Sequence, residues 1–107
     1  MFVLDSHCDT PSEILRGRDL SIDNHNAHVD FPKLVKGGVD GAFFALYIPA
    51  AFDSDPESGF DHAERMLEVV ERSVSENSHI AAFASNRIQA LKNREEGKFS
   101  VFLALEN

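Results

Sequence analysis

His7 and Asp9 stand two residues apart near the start of the chain, and Glu106 is the last residue but one. On an extended strand, side chains two apart project to the same face. An imidazole nitrogen and a carboxylate oxygen on one face can hold a divalent cation, and zinc takes such donors at about 2.0–2.2 Å. His-x-Asp by itself is a weak signal, because the same pair also occurs as a hydrogen-bonded surface pair. Its place strengthens it: in parallel α/β sheets, reactive side chains gather at the carboxyl ends of strands. Glu106 closes another apolar run in the equivalent position, which brings the metal-capable side chains to three. By parity Asp5 shares the His7 face and is expected to orient that ligand through a hydrogen bond. Cys8 points the other way and reads as a small apolar packing residue, with no base beside it to make it a nucleophile. His25 and His28 fall in a polar stretch and read as loop residues, and His62 and His79 are expected near helix ends without chemical roles.

These side chains need strands that end in one place. The first predicted strand is Phe2–Asp9, apolar at its start and polar at its end. Thr10, Pro11 and Glu13 then make a helix start, with Thr10 as cap, Pro11 in the first turn and Glu13 reaching back. Gly17 stops that helix, and Arg18–Asp30 reads as a loop. Asp30 caps a short helical turn through Leu34, and Gly37-Gly38 breaks the chain. Gly41–Ile48 is a second strand, apolar on both faces, the pattern of a strand buried on both sides. Ala50–Gly59, rich in Asp, Ser and Pro, reads as a loop. Ala63, Met66, Leu67, Val70 and Val74 form one stripe of a helix predicted over Asp61–Asn77. His79–Ala84 is a short apolar segment with extended character. Ser85 is placed to cap a helix over Asn86–Glu96, stopped by Gly97. The last strand is Phe99–Leu105. Strands alternating with helices predict an α/β fold with parallel strands, three β/α units in one domain over residues 1–107 without internal boundary. A chain that finishes on a strand leaves the sheet uncovered, so it reads as the opening part of a longer protein.

The composition narrows the functional classes. The chain has 107 residues, 18 acidic and 10 basic, for a net charge of −8. Nucleic acids and anionic membranes attract basic surfaces, so neither is expected as a partner. No window approaches the roughly 20 apolar residues of a membrane span. Met1–Asp5 lacks the layout of a secretory leader, which makes the cytoplasm the default expectation. With one cysteine there is no internal disulfide and no thiolate cage.

Asp5-Ser6-His7-Cys8-Asp9-Thr10-Pro11 resembles the opening D-x-H-x-D-x-P motif of the membrane (renal) dipeptidase family of zinc peptidases. Val29-Asp30-Phe31-Pro32-Lys33-Leu34, Gly37-Gly38-Val39 and Phe43-Phe44-Ala45-Leu46-Tyr47-Ile48-Pro49 follow in that family's order. Glu95-Glu96-Gly97-Lys98 and Val101-Phe102-Leu103-Ala104-Leu105-Glu106 are similar to its third segment, so the resemblance runs from end to end. It implies the first part of a (β/α)8 TIM barrel, a fold of about 250 residues. It also implies a site of two zinc ions, with His7 and Asp9 on one ion and Glu106 bridging both. Tyr47 would line the pocket of a dipeptide substrate, often one with a D-residue at its carboxyl side. The remaining histidines, the acid–base aspartate and the arginine for the substrate carboxylate would belong to later strands, so no catalytic residue is expected in this segment and little activity from it alone. Ser6 stands where glycine is common, and Ala50 where some members carry a disulfide cysteine; neither change touches the metal donors. Two other readings stand beside this one: a non-catalytic barrel fragment or binding module, and another metallohydrolase of the amidohydrolase type. The latter usually opens with His-x-His, whereas this chain has His7-Cys8-Asp9. Apolar faces and open sheet edges further predict association with the remainder of the barrel or with a second copy as a homodimer.

Overall fold

The computed structural model describes all residues 1–107. The elements are β1 (Leu4–Cys8), α1 (Thr10–Leu15), α2 (Phe31–Lys36), β2 (Gly41–Tyr47), a 3-10 turn (Ala50–Phe52), α3 (Pro56–Glu76), β3 (Ala81–Phe83), α4 (Arg87–Glu95) and β4 (Phe99–Glu106). All strand pairings are parallel, and the sheet order is β1-β2-β4-β3. The α/β class with parallel strands is therefore as the sequence predicts, but the sheet has four strands instead of three. The extra one is the short apolar segment after α3. It lies outside β4 and pairs only with Phe99–Val101. Its three residues are too few to carry an alternating pattern, and a partner far along the chain makes it a strand.

The central pair sets the frame. β2 and β4 run in register from Gly41↔Ser100 to Tyr47↔Glu106. Partnered residues share a face, so Ala42, Phe44, Leu46, Phe99 and Val101 look toward the helices. There they meet Ile14, Leu20, Phe31, Leu34, Met66, Val70 and Val74 in one buried cluster. The other face is less covered. Phe43 and Phe102 stack on it with ring centroids 4.8 Å apart, and Phe43 is only half-buried. Burial on both faces of β2, expected from its apolar run, is thus complete on the helix side alone. At the start of β2, Gly41 carries no side chain for a steric reason: a Cβ there would lie 3.0 Å from the Ser100 carbonyl oxygen.

Helix starts differ from the sequence reading in instructive ways. α3 begins at Pro56, five residues before the predicted start, because Asp55 caps it by accepting from the Ser58 backbone N–H (3.2 Å) and hydroxyl (2.6 Å). The Asp-Ser-Pro stretch that reads as loop is therefore a helix start. α4 is capped by Asn86, which accepts from the Gln89 N–H at 2.9 Å, while Ser85 donates to the Gln89 side chain. Asp30 caps α2 as expected and does more. Its carboxylate is fully buried and accepts from the backbone N–H groups of Lys33 (2.8 Å) and Asn24 (2.9 Å) and from Lys33 Nζ (2.5 Å). Burial pushes its carboxyl up, but the hydrogen bonds from Lys33 and the two backbone N–H groups outweigh this and hold it below the ordinary carboxylate range. This cluster ties the polar loop, with His25 and His28, to the core.

Candidate metal centre

β1 pairs with β2 as Leu4↔Gly41 and Asp5↔Ala42, then as Cys8↔Phe44. Three steps on β1 match two on β2, so β1 carries a bulge between Asp5 and Cys8. The bulge breaks the alternation on which parity arguments rest. β1 ends at Cys8, and Asp9 is the residue before α1 instead of a strand residue. The two nevertheless meet: His7 Nε2 lies 3.2 Å from Asp9 Oδ1. Cys8 turns the other way into the core, with Sγ 2.9 Å from the Thr10 hydroxyl.

That geometry explains a failed cap. Thr10 is expected to cap α1 but is its first helical residue, buried and occupied with Cys8. The capping position belongs to Asp9, whose carboxylate makes no capping hydrogen bond and faces His7 instead. Glu13, expected to reach back, pairs with Arg16 (2.8 Å) and Arg18 (3.3 Å). A helix end thus goes without its usual side-chain cap while the carboxylate suited to the task serves the cluster.

Glu106 arrives from the end of β4. Its Oε2 lies 3.3 Å from His7 Nε2, and donor atoms of His7, Asp9 and Glu106 all lie within 4.8 Å of one another. Glu106 is held in place by the ladder: its carbonyl accepts from the Ile48 N–H at 2.8 Å. The structure therefore brings together all three residues singled out as metal donors, from β1, the β1–α1 junction and β4. Asp5 is nearby in a different role. It accepts from the His7 backbone N–H at 3.0 Å, so it braces the bulge and not the imidazole ring.

The cluster suits a cation. Donors bound tetrahedrally at zinc distances lie about 3.3–3.5 Å apart; the two His7 separations are 3.2 and 3.3 Å, and all three donor atoms lie within 4.8 Å of one another. One nitrogen and two carboxylates form a donor set that zinc accepts. Glu106 Oε2 is buried yet has no hydrogen-bond partner. A buried carboxylate oxygen in that state is costly, and a cation shared with His7 would satisfy it.

Tyr47 faces the same side of the sheet as Glu106, its register partner. It lines a cavity of about 590 Å³ with Ile48, Ala50, Phe52, Asp53, Pro56, Gly59 and Asn107. Apart from Tyr47, sequence reasoning does not single out these residues. For Ile48, Ala50, Phe52 and Asp53 the available signal is their position in the loop after a strand's carboxyl end, where binding residues concentrate. His62 is inside α3, against the Phe52 ring, with centroids 4.9 Å apart.

The family model for membrane dipeptidase, peptidase family M19, matches residues 1–107. No curated protein matches the chain in sequence. Among solved structures, the chain superposes over 100% of its length on the metallopeptidase "dipeptidase AC" of family M19, with a TM-score of 0.85 and 20% identity. It does so equally on a metallopeptidase from Rhodobacter sphaeroides bound to a phosphinate mimic of the dipeptide L-Ala-D-Ala, with a TM-score of 0.85 and 19% identity. The probable dipeptidase PvdM from Pseudomonas aeruginosa matches 98% of the chain, with a TM-score of 0.78 and 17% identity. The chain spans only 35%, 38% and 28% of these three proteins, respectively. At such identities the likeness is one of fold.

Proposed function

The chain belongs to the membrane dipeptidase family, and on that premise we propose that it is the opening segment of a zinc-dependent dipeptidase whose full length closes into a (β/α)8 barrel. In this reading His7 and Asp9 would hold one ion, and Glu106 would be shared between it and a second. The observation that carries the reading is the convergence of these three donors at the carboxyl end of a parallel sheet, around a Glu106 oxygen left without a hydrogen bond.

Two zinc ions bound there would polarise a peptide carbonyl and lower the pKa of a shared water. The segment's own residues would do the positioning. The β1 bulge turns His7 toward the centre, and the start of α1 presents Asp9. The last pair of the β2–β4 ladder fixes Glu106, and Tyr47 would wall the space a dipeptide occupies. The remaining metal donors and the acid–base group are assigned to the part of the barrel beyond this segment, so the segment alone is expected to turn over no substrate.

The open faces support the same assignment. Leu105 is 70% exposed and Leu103 39% exposed on the helix side of β4. Beyond Val101, β4 has no partner on its β3 side. The rest of the barrel would cover both. A homodimer mate is the alternative cover, and sedimentation of the isolated segment as a well-folded monomer would argue against needing either.

The test uses the intact polypeptide and a dipeptide such as L-Ala-D-Ala. Hydrolysis is expected, lost on chelation and restored by zinc. His7→Ala should lower kcat/KM by more than about 100-fold, the upper end for groups that merely support a ligand. Full activity in the chelated enzyme, or in His7→Ala, would overturn the proposal.

A further inference from the structure

The cavity beside the donor cluster is lined by a single charged side chain, that of Asp53. Among its lining residues Tyr47, Ile48, Phe52, Asp53, Pro56 and Asn107 there is no lysine, arginine or histidine. It adjoins the cluster directly: Tyr47 is the register partner of Glu106, Ile48 donates to the Glu106 carbonyl, and Asn107 follows Glu106 in the chain.

Its wall is held firmly. Phe52 closes the 3-10 turn and packs on His62. Gly59, in the first turns of α3, allows Ile48 and Phe52 to approach so closely that a Cβ there would lie 3.3 Å from atoms of both. A glycine inside a helix is unfavourable by itself, and close packing of the turn on the helix is what it permits here.

Two aspartates sit in this turn, and they differ. Asp55 turns its carboxylate onto Ser58 and caps α3. That satisfies the positive end of the helix, and hydrogen bonds from the Ser58 hydroxyl and backbone hold its carboxyl below the ordinary range. The Asp53 backbone N–H bonds to Ala50, but its carboxylate has no hydrogen bond and no ion pair. An exposed carboxylate without an internal cation, lining a half-apolar cavity next to the donor cluster, favours a cationic guest.

We propose that this cavity receives a side chain of the dipeptide and that Asp53 makes it prefer a basic one, of the lysine, ornithine or arginine kind. The inference rests on the dipeptidase reading above and adds the specificity that reading leaves open.

The experiment measures kcat/KM of the intact enzyme on dipeptides that differ in one side chain: Lys, Ala or Glu, placed first at the amino position and then at the carboxyl position. In one of the two series the wild type should favour Lys over Glu. Asp53→Asn should reduce that ratio by about 3- to 10-fold, the effect of one partly exposed charge pair. Asp53→Lys should invert the preference toward Glu. An unchanged ratio in both variants, with L-Ala-D-Ala still hydrolysed, would overturn the Asp53 assignment and leave the dipeptidase reading standing. Equal losses on all peptides would also overturn it, by showing that Asp53 serves a group common to every dipeptide. If the wild type hydrolyses none of the set, the dipeptidase reading fails and the specificity inference falls with it.

Discussion

Replacing Glu106 by glutamine should shift stability in opposite directions with and without metal. In chelator, the wild type keeps a carboxylate oxygen buried without a hydrogen bond at Glu106 Oε2, 3.3 Å from His7 Nε2. An unsatisfied buried acceptor costs about 1–3 kcal/mol. The Glu106 side chain is 41% exposed overall, which places the cost near the lower end, about 1 kcal/mol. Asp9 adds repulsion, since its donor atom and that of Glu106 lie within 4.8 Å. At that separation two like charges repel by about 0.9 kcal/mol in water and by about 3.5 kcal/mol at an effective dielectric of 20. Exposure of 65% at the Asp9 side chain again favours the low value. Glutamine keeps the shape and a polar atom in the buried position but removes the charge, so Glu106→Gln should gain about 1 kcal/mol in chelator, the relieved repulsion. Zinc at 100 times the wild-type Kd should stabilise the wild type by about 2.7 kcal/mol. If losing the anionic donor weakens binding about 100-fold, the same zinc concentration gives the variant only about 0.4 kcal/mol. The order of stability should therefore cross. Urea unfolding of the intact polypeptide at pH 8, followed by circular dichroism in chelator and in zinc, reads both arms. A variant less stable than wild type in chelator, or one with an undiminished zinc shift, would refute the reasoning.

Two further predictions concern the frame that carries the site. Asp30→Ala removes one buried carboxylate that accepts three hydrogen bonds and should cost about 2–3 kcal/mol in urea unfolding. Because the Asp30 carboxyl is held below its ordinary value, its contribution is present above about pH 4 and lost as pH falls through the folded-state value. The variant should accordingly lose less stability than wild type between about pH 5 and pH 2, and parallel acid profiles would contradict this. Gly41→Ala puts a Cβ 3.0 Å from the Ser100 carbonyl oxygen at the first pair of the β2–β4 ladder. Backbone cannot yield there as a side chain can, so a loss of about 2–3 kcal/mol is expected; a midpoint within error of wild type would show that the ladder is looser than its register implies.

Much of the molecule is written locally in the chain. The apolar stripe of α3 repeats at 3.6 residues, the two long strands are unbroken apolar runs, and Asp30 before Phe31-Pro32 is a cap legible from residue types alone. Each depends on neighbours within one or two turns, so the sequence by itself determined these elements and their parallel α/β arrangement, and it singled out His7, Asp9 and Glu106 as candidate donors. Other features depend on partners far along the chain. Ala81–Phe83 is a strand only because β4 offers it an edge. The β1 bulge arises from register against β2, and it shifts Asp9 off the strand. Parity selected His7 and Asp9 as partners, but their meeting depends on that bulge and on a helix start left without its side-chain cap. Asp5 illustrates the same limit: same-face spacing pointed it at the ring, and the distorted strand turns it to the His7 backbone. The cavity with Asp53 is decided at longer range still, by Gly59 of α3 closing on Ile48 and Phe52. Local residue types set which groups are available, whereas strand register and close packing set where they point. Only the tertiary structure fixes the second, because both arise from contacts between segments that the chain order keeps apart.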